Sequence, residues 1–350
     1  MKSAHSYRRC LQLFVPLFAV VLAVMLAVVT SPALADGTVR AWRSNGYDQC
    51  LIPSDLGVCT QIAGGDQHTI ALRADGTVRA WGCNNEGQCN IPSDLGVCTQ
   101  IAGGGNHTIA LRVDGTVRAW GNNSQGQCNI PSDLGVCTQI AGGVDHTIAI
   151  RADGTVRAWG RNIEGQCTIP SDLGVCTQIA GGFFHTIALR ADGTVRAWGN
   201  NSQSQCTIPS DLGVCTQIAG VYFHTIALRA DGTVRAWGRN TQGQCTIPSD
   251  LGVCTQIAAG GAHTIALRAD GTVRAWGNNS QGACTIPSDL GVCTQIAGGH
   301  LHTIVLEGNQ NRSQPSSIPA TGVGITPSPS TAPSPPSPPL APNSRPSPSA

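Results

Sequence analysis

Seven histidines, His68, His107, His146, His185, His224, His263 and His302, each stand directly before a threonine. Neutral imidazole is the commonest metal ligand, so the series invites a metal hypothesis. One histidine per copy of a repeat, each at a strand start, keeps the seven too far apart for a tetrahedral site. A hydrogen bond from each to a neighbouring turn is the reading the spacing favours, and His300 with His302 makes only a weak H-x-H pair. Fourteen cysteines recur with eight residues between partners: Cys50/Cys59, Cys89/Cys98, Cys128/Cys137, Cys167/Cys176, Cys206/Cys215, Cys245/Cys254 and Cys284/Cys293. In an exported chain these read as disulfide staples within each unit, the intervening Pro-Ser-Asp-Leu-Gly reversing the chain, with pairing between units as the alternative. Cys83 is left over, either free or competing for Cys89. Ser, His and Asp occur in every unit, but seven equal sites are unlike enzyme design, and no glycine-rich helix start could cradle a phosphate. No catalytic residue, metal or cofactor is expected.

The elements that must position these residues are repeats. The string Asp-Gly-Thr-Val-Arg-Ala-Trp begins at Asp36 and returns every 39 residues, at Asp75, Asp114, Asp153, Asp192, Asp231 and Asp270. Within each unit Thr-Gln-Ile-Ala, His-Thr-Ile-Ala-Leu-Arg and Thr-Val-Arg-Ala-Trp are short and β-branched, and Gly pairs or Asp-Gly separate them, which is strand and turn chemistry. Asp-Gly supplies the positive φ angles of a tight hairpin. Each unit is thus an antiparallel meander of at least three strands that cannot bury both faces alone, so the units stack radially. The chain opens the array with Thr38 to Trp42 lacking a partner strand and closes it with His302 to Glu307 lacking a following one. Pairing the two completes a seven-bladed all-β propeller over residues 36–308.

Gly-Gly-x-x-His-Thr-Ile-Ala-Leu followed by Asp-Gly-x-Val-x-Ala-Trp-Gly-x-Asn-x-x-Gly-Gln resembles the repeat of the regulator-of-chromosome-condensation family, in the short-blade form of secreted bacterial members. The resemblance implies a seven-bladed propeller. It also implies a range of functions: nuclear guanine-nucleotide exchange, parts of ubiquitin ligases, a plant UV-B receptor, and a secreted inhibitor of β-lactamase. The array carries 16 Arg against 20 acidic residues and the whole chain a formal charge of +1, which excludes a basic nucleic-acid surface. The photoreceptor's clustered Trp are missing, since the seven Trp here occupy one equivalent position each.

Copies differ in two places. The pair before His-Thr reads Asp66-Gln67, Gly105-Asn106, Val144-Asp145, Phe183-Phe184, Tyr222-Phe223, Gly261-Ala262 and His300-Leu301, and the stretch after Trp varies too, with Arg161 and Arg239 among its members. The meander places both on one rim, opposite a uniform rim of Asp-Gly turns, as expected of a scaffold with one asymmetric binding face. Phe183, Phe184, Tyr222 and Phe223 form two aromatic doublets in adjacent blades, typical of interface anchors. Aromatic residues in the matching turn of the inhibitor-like relatives imply the same role for these four.

Residues 1–35 read as a signal peptide: Lys2, Arg8 and Arg9, an apolar run from Leu11 to Val29, then Ala33-Leu34-Ala35. The chain is therefore expected to be secreted or at the cell surface, touching a membrane only if that segment stays uncleaved. Residues 309–350 are Pro- and Ser-rich and read as a disordered, polyproline-like tail. These features predict a monomeric, non-catalytic scaffold that recognises a protein or glycoprotein through its variable rim. The alternatives are a wall or matrix protein attached through the tail, and a regulator of a small GTPase.

Overall fold

The computed structural model describes residues 37–43 and 45–308; the expected signal peptide with Cys10 and the expected Pro/Ser-rich tail lie outside the described residues. Strand β1 (Gly37–Arg43) comes first, and blade 1 follows as β2 (Cys59–Gly64), β3 (His68–Arg73) and β4 (Val78–Gly82). The same trio recurs five times, beginning at Cys98, Cys137, Cys176, Cys215 and Cys254 as blades 2 to 6; β14 (Cys215–Val221) and β15 (His224–Arg229) open blade 5. Strands β20 (Cys293–Gly298) and β21 (His302–Gly308) begin blade 7, and β1 completes it, paired antiparallel to β21 from Gly37↔Gly308 to Arg43↔His302. The ring therefore closes by joining the two ends of the array, as the unpaired terminal strands predict.

Alternation within the middle strand builds the core between blades. On β15, Ile226 and Leu228 pack with Val234 against Leu251, Ile257, Ala266 and Trp276 of the next blade. Ala227, on the other face, meets Ile187 and Leu189 of the preceding one. Large residues on one face and alanine on the other let neighbouring sheets nest, and truncating one of the buried isoleucines would cost about 2–5 kcal/mol. Each Trp indole donates to a backbone carbonyl in the preceding connection, as Trp81 Nε1 does to Gln49 at 3.1 Å, and the Thr69 hydroxyl shares that carbonyl at 2.8 Å.

The Asp-Gly hairpin differs from the tight two-residue turn expected. Leu72↔Val78 is the last pair, Gly76 N–H donates to Arg73 O at 2.9 Å, and of the Asp-Gly pair only Gly76 takes a positive φ, of 79°. This is a type I turn with a glycine bulge. The Asp75 carboxylate accepts from the Thr77 N–H and hydroxyl, which fixes the residue that follows the bulge.

The disulfide staples are not formed. All seven second cysteines, Cys59, Cys98, Cys137, Cys176, Cys215, Cys254 and Cys293, keep the thiol proton and donate it to the carbonyl two residues earlier, at 3.7 Å for Cys59 and Cys98. From the second unit on, the first cysteines Cys89, Cys128, Cys167, Cys206, Cys245 and Cys284 donate to the carbonyl six residues earlier, as Cys89 does to Cys83 at 3.3 Å. The reason is the odd strand number. A blade that goes up, down and up must send its connection back down, so Cys50 and Cys59 stand at opposite ends of that descent. A five- or six-residue strand is roughly 17–20 Å long, whereas a disulfide needs about 4.4–6.8 Å between Cα atoms.

Candidate functional site

The variable pair and the stretch after Trp meet on one rim. In blades 1 to 6 the second residue of the pair accepts the backbone N–H of the residue after Trp-Gly: Gln67 from Cys83, Asn106 from Asn122, Asp145 from Arg161, Phe184 from Asn200, Phe223 from Arg239 and Ala262 from Asn278, all at 2.8 or 2.9 Å. The first residue of the pair faces the axis. There backbone bonds run from blade to blade, Asp66 N–H to Gly105 O and Gly105 N–H to Val144 O, and His300 N–H to Asp66 O joins the last blade to the first.

Beneath that rim lies a second ring, made of side chains. His68 Nε2 is 3.0 Å from Thr108 Oγ1, and the same contact links each blade to the next until His302 reaches Thr69 at 3.1 Å. Each threonine hydroxyl already donates to a carbonyl of the preceding connection, so the imidazole must be the donor and the Nε2–H tautomer is fixed. Burial pushes these imidazoles down, His68 to about 3 and His107 to about 4, and they stay neutral. The expectation of a bond to a neighbouring turn is thus corrected to a bond to the neighbouring strand. The common turn requires glycine beside them: a Cβ on Gly65 or Gly104 would strike the imidazole of its own repeat.

Blade 5 breaks the pattern. Where the other blades have a glycine beside the histidine, blade 5 has Val221, so β14 extends by one residue to pair Val221↔His224. The turn shrinks to Tyr222-Phe223, with Tyr222 held at a φ of 53°. From there the Tyr222 hydroxyl donates to Asp66 Oδ2 of blade 1 at 3.3 Å. Its ring stacks on His300 at 4.6 Å and 13° and lies 5.1 Å from Phe183. Phe183 in turn contacts Phe184 at 4.0 Å edge-on and Phe223 at 5.6 Å stacked, and Arg161 sits 4.4 Å over the Phe184 ring.

The aromatic doublets thus join into one cluster that is half-buried, because its members cover one another. Burial raises the Asp66 carboxyl to about 6, with the charge of Asp145 adding to it, and burial also raises Asp145. Below, the glycine pairs of several blades floor a small axial cavity of about 40 Å³, whose wall includes Asp66, Val144, Val221 and His300.

Of the residues singled out by sequence, the structure brings together Phe183, Phe184, Tyr222, Phe223, Asp66, Asp145, Arg161 and His300. Gln67, Asn106, Arg239 and Leu301 stand one step farther from the axis, Asn106 and Arg239 exposed and Leu301 half-buried. Comparing the pairs alone misses Val221, although it is visible in the sequence as a departure from Ala-Gly-Gly. Among the described residues no group of three or more His, Cys, Asp or Glu could hold a metal.

The family model described as regulator of chromosome condensation (RCC1) repeat matches residues 59–88, 98–127, 137–166, 176–205, 215–244 and 254–283, just over half of the chain. No curated protein sequence matches. Among solved structures, the fold is similar to that of Prp20p from Saccharomyces cerevisiae, with a TM-score of 0.68 and 18% identity over 79% of this chain and 93% of that one. Prp20p itself binds Gsp1p and histones. Human WBSCR16 gives a TM-score of 0.64 at 21% identity, covering 74% of this chain and 89% of that one. The ectodomain of the Arabidopsis thaliana receptor kinase ACR4 gives 0.59 at 18% identity, covering 72% and 93%.

Proposed function

The chain belongs to the regulator of chromosome condensation (RCC1) repeat family, and from that premise we propose that it is a secreted, non-catalytic scaffold that recognises a protein or glycoprotein through the variable rim. The observation that carries the proposal is the concentration of differences between near-identical blades on one face, where an aromatic cluster, two carboxylates and Arg161 converge. Packing demands the same residues in every blade; it does not demand four aromatic rings in two of them. Export rests on the leader-like residues 1–35, and sequencing the N-terminus of the mature protein tests it. Capture of partners from culture medium, with the full chain as bait, tests recognition. Replacing Phe183, Phe184, Tyr222 and Phe223 by Ala should abolish specific capture, whereas a wall or matrix spacer predicts capture unchanged.

A second reading, regulation of a small GTPase, draws on the fold likeness to Prp20p. It requires that the leader-like segment fail to direct export. Acceleration of nucleotide release from a small GTPase would support it over the first.

A further inference from the structure

From the second unit on, the fold brings the first cysteine of each unit to the same place. Its thiol lies 3.1–3.5 Å from the carbonyl oxygen of the residue after Trp-Gly. That residue is Asn122, Asn200 or Asn278 in three units and Arg161 or Arg239 in two; in the second unit it is Cys83. Only there does a second sulfur stand beside the first. Cys83 is buried and Cys89 half-buried; burial raises the Cys89 thiol, and charge on Cys83 raises it further, so the two groups feel each other. The segment between them is already bent back on itself: Asn84 Oδ1 accepts the Cys89 N–H at 2.8 Å, and Asn84 O accepts the Gly87 N–H at 3.1 Å.

A buried glutamine points at the same pair. In the third and fifth units it ties this loop together, Gln127 Nε2 donating to Asn122 Oδ1 at 2.8 Å and Gln205 Nε2 to Asn200 Oδ1 at 3.0 Å. Cysteine at 83 offers no such oxygen, and the Nε2 of Gln88, a residue 0% exposed, is left without a partner. Gln166, in the unit that has Arg161 at this position, is unpartnered as well, which marks the missing oxygen as the cause. The loop of the second unit therefore lacks the tie of the third and fifth, and it has two sulfurs where that tie would be.

We propose that Cys83 and Cys89 are an oxidation site and form one disulfide within their loop in the folded chain, while the second cysteines, Cys98 among them, remain thiols. The oxidant is a small-molecule disulfide of the glutathione kind. The more exposed Cys89 attacks it as thiolate: a sulfur–sulfur bond to one glutathione forms, the glutathione disulfide breaks, and the other glutathione leaves as thiolate. The Cys83 thiolate then attacks the Cys89 sulfur, which forms the protein disulfide and expels the second glutathione. Two protein thiols lose two electrons, one glutathione disulfide gains them, and two protons pass from the protein thiols to the glutathione thiolates. First cysteines of other units have no neighbouring thiol to complete the second step. The bridge stands behind the variable rim, because the Cys83 N–H donates to Gln67 O at 2.8 Å, and it forms whatever that rim recognises.

The test uses the full chain, equilibrated without denaturant in mixed reduced and oxidised glutathione, alkylated, and cut with trypsin and a protease specific for glutamate and aspartate. Glu86 lies between Cys83 and Cys89, and Asp94 between Cys89 and Cys98, so each sulfur falls on its own fragment. The linked pair Cys83–Cys89 is expected to be at least about tenfold more abundant than any other protein disulfide, because only these two thiols share one loop. Cys83→Asn, which installs the side chain of the third unit, should leave no protein disulfide. Cys98→Ser should leave the bridge as abundant as before. A chain that stays fully reduced at equilibrium, a bond from Cys89 to Cys98, or bonds such as Cys128 to Cys137 in equal yield would each overturn the proposal.

Discussion

The hydroxyl of Tyr222 reaches across the propeller axis to Asp66, 156 residues away in sequence, and donates to its carboxylate at 3.3 Å. A contact between blades 5 and 1 cannot arise from repeat symmetry, which gives each blade the same relation to its neighbours. Its acceptor stands in a place that disfavours charge, and burial raises the Asp66 carboxyl to about 6 from an ordinary value of 3.8. A carboxyl that binds its proton more tightly when folded makes the fold more stable as pH falls through 6 towards 4, and less stable above 6. Asp66→Asn should therefore stabilise the protein at pH 8 by about 1–2 kcal/mol, with the gain vanishing near pH 4. Thermal melts of the two proteins at both pH values check the sign; a destabilised variant at pH 8 would contradict it.

The histidine ring predicts the opposite pH response, and a stronger one. Burial holds the imidazoles at about 3 to 4, against 6.5 when exposed, so each takes up a proton only on unfolding. Stability is whole above pH 6.5 and falls as pH drops towards 4, by up to about 1.4 kcal/mol per pH unit for each histidine. Acid unfolding followed by tryptophan fluorescence should be steep, with several protons taken up together between pH 6 and 4. His146→Gln should remove about one proton from that uptake, and a gradual transition below pH 3 would show that the imidazoles do not control it.

Restoring the repeat in blade 5 should undo the site while sparing the fold. Val221→Gly returns the glycine that other blades have beside their histidine. The strand should then lose its extra pair Val221↔His224, and Tyr222 its left-handed backbone. Stability should change by less than about 1 kcal/mol, because relief of a non-glycine residue at positive φ offsets the greater freedom of glycine in the unfolded chain. Near-UV circular dichroism should report loss of the Tyr222–His300 stack, and capture by the rim should weaken. Unchanged dichroism would show that Val221 does not direct Tyr222.

Period and turn chemistry make much of this legible in the sequence. The 39-residue spacing, the lone terminal strands and the common rim of the two variable stretches follow from strand alternation, which is local. The convergence of Asp66 with Tyr222 and His300 is hidden there because it is set by distance across a closed ring, and ring diameter is not written in any window of sequence. The histidine partners escape for a similar reason: the acceptor, Thr108 for His68, lies 40 residues on and belongs to another blade. Val221 is readable as a departure from Ala-Gly-Gly, but its effect, a turn shortened by one extra strand pair, emerges only once the register is known.

The cysteines give the last prediction. Thiols at opposite ends of a descending connection cannot oxidise together while the blade stands, so non-reducing peptide mapping should find no bond between Cys128 and Cys137, nor between their equivalents. Burial pushes Cys89 and Cys167 up to about 12 and Cys128 up to about 11, so almost no thiolate forms near neutral pH and native alkylation should be slow. Adding denaturant should raise the alkylation rate many-fold as the thiols return towards an ordinary pKa. Cys83 offers an internal comparison: it stands beside Cys89, whose thiol donates to its carbonyl, and only the second unit has a cysteine at that position. A mild disulfide oxidant should therefore act first, if anywhere, on the second unit, while Cys83→Ser should leave the other units' resistance untouched. Rapid native alkylation throughout, or a mapped bond between Cys167 and Cys176, would mean that the connection does not descend the blade.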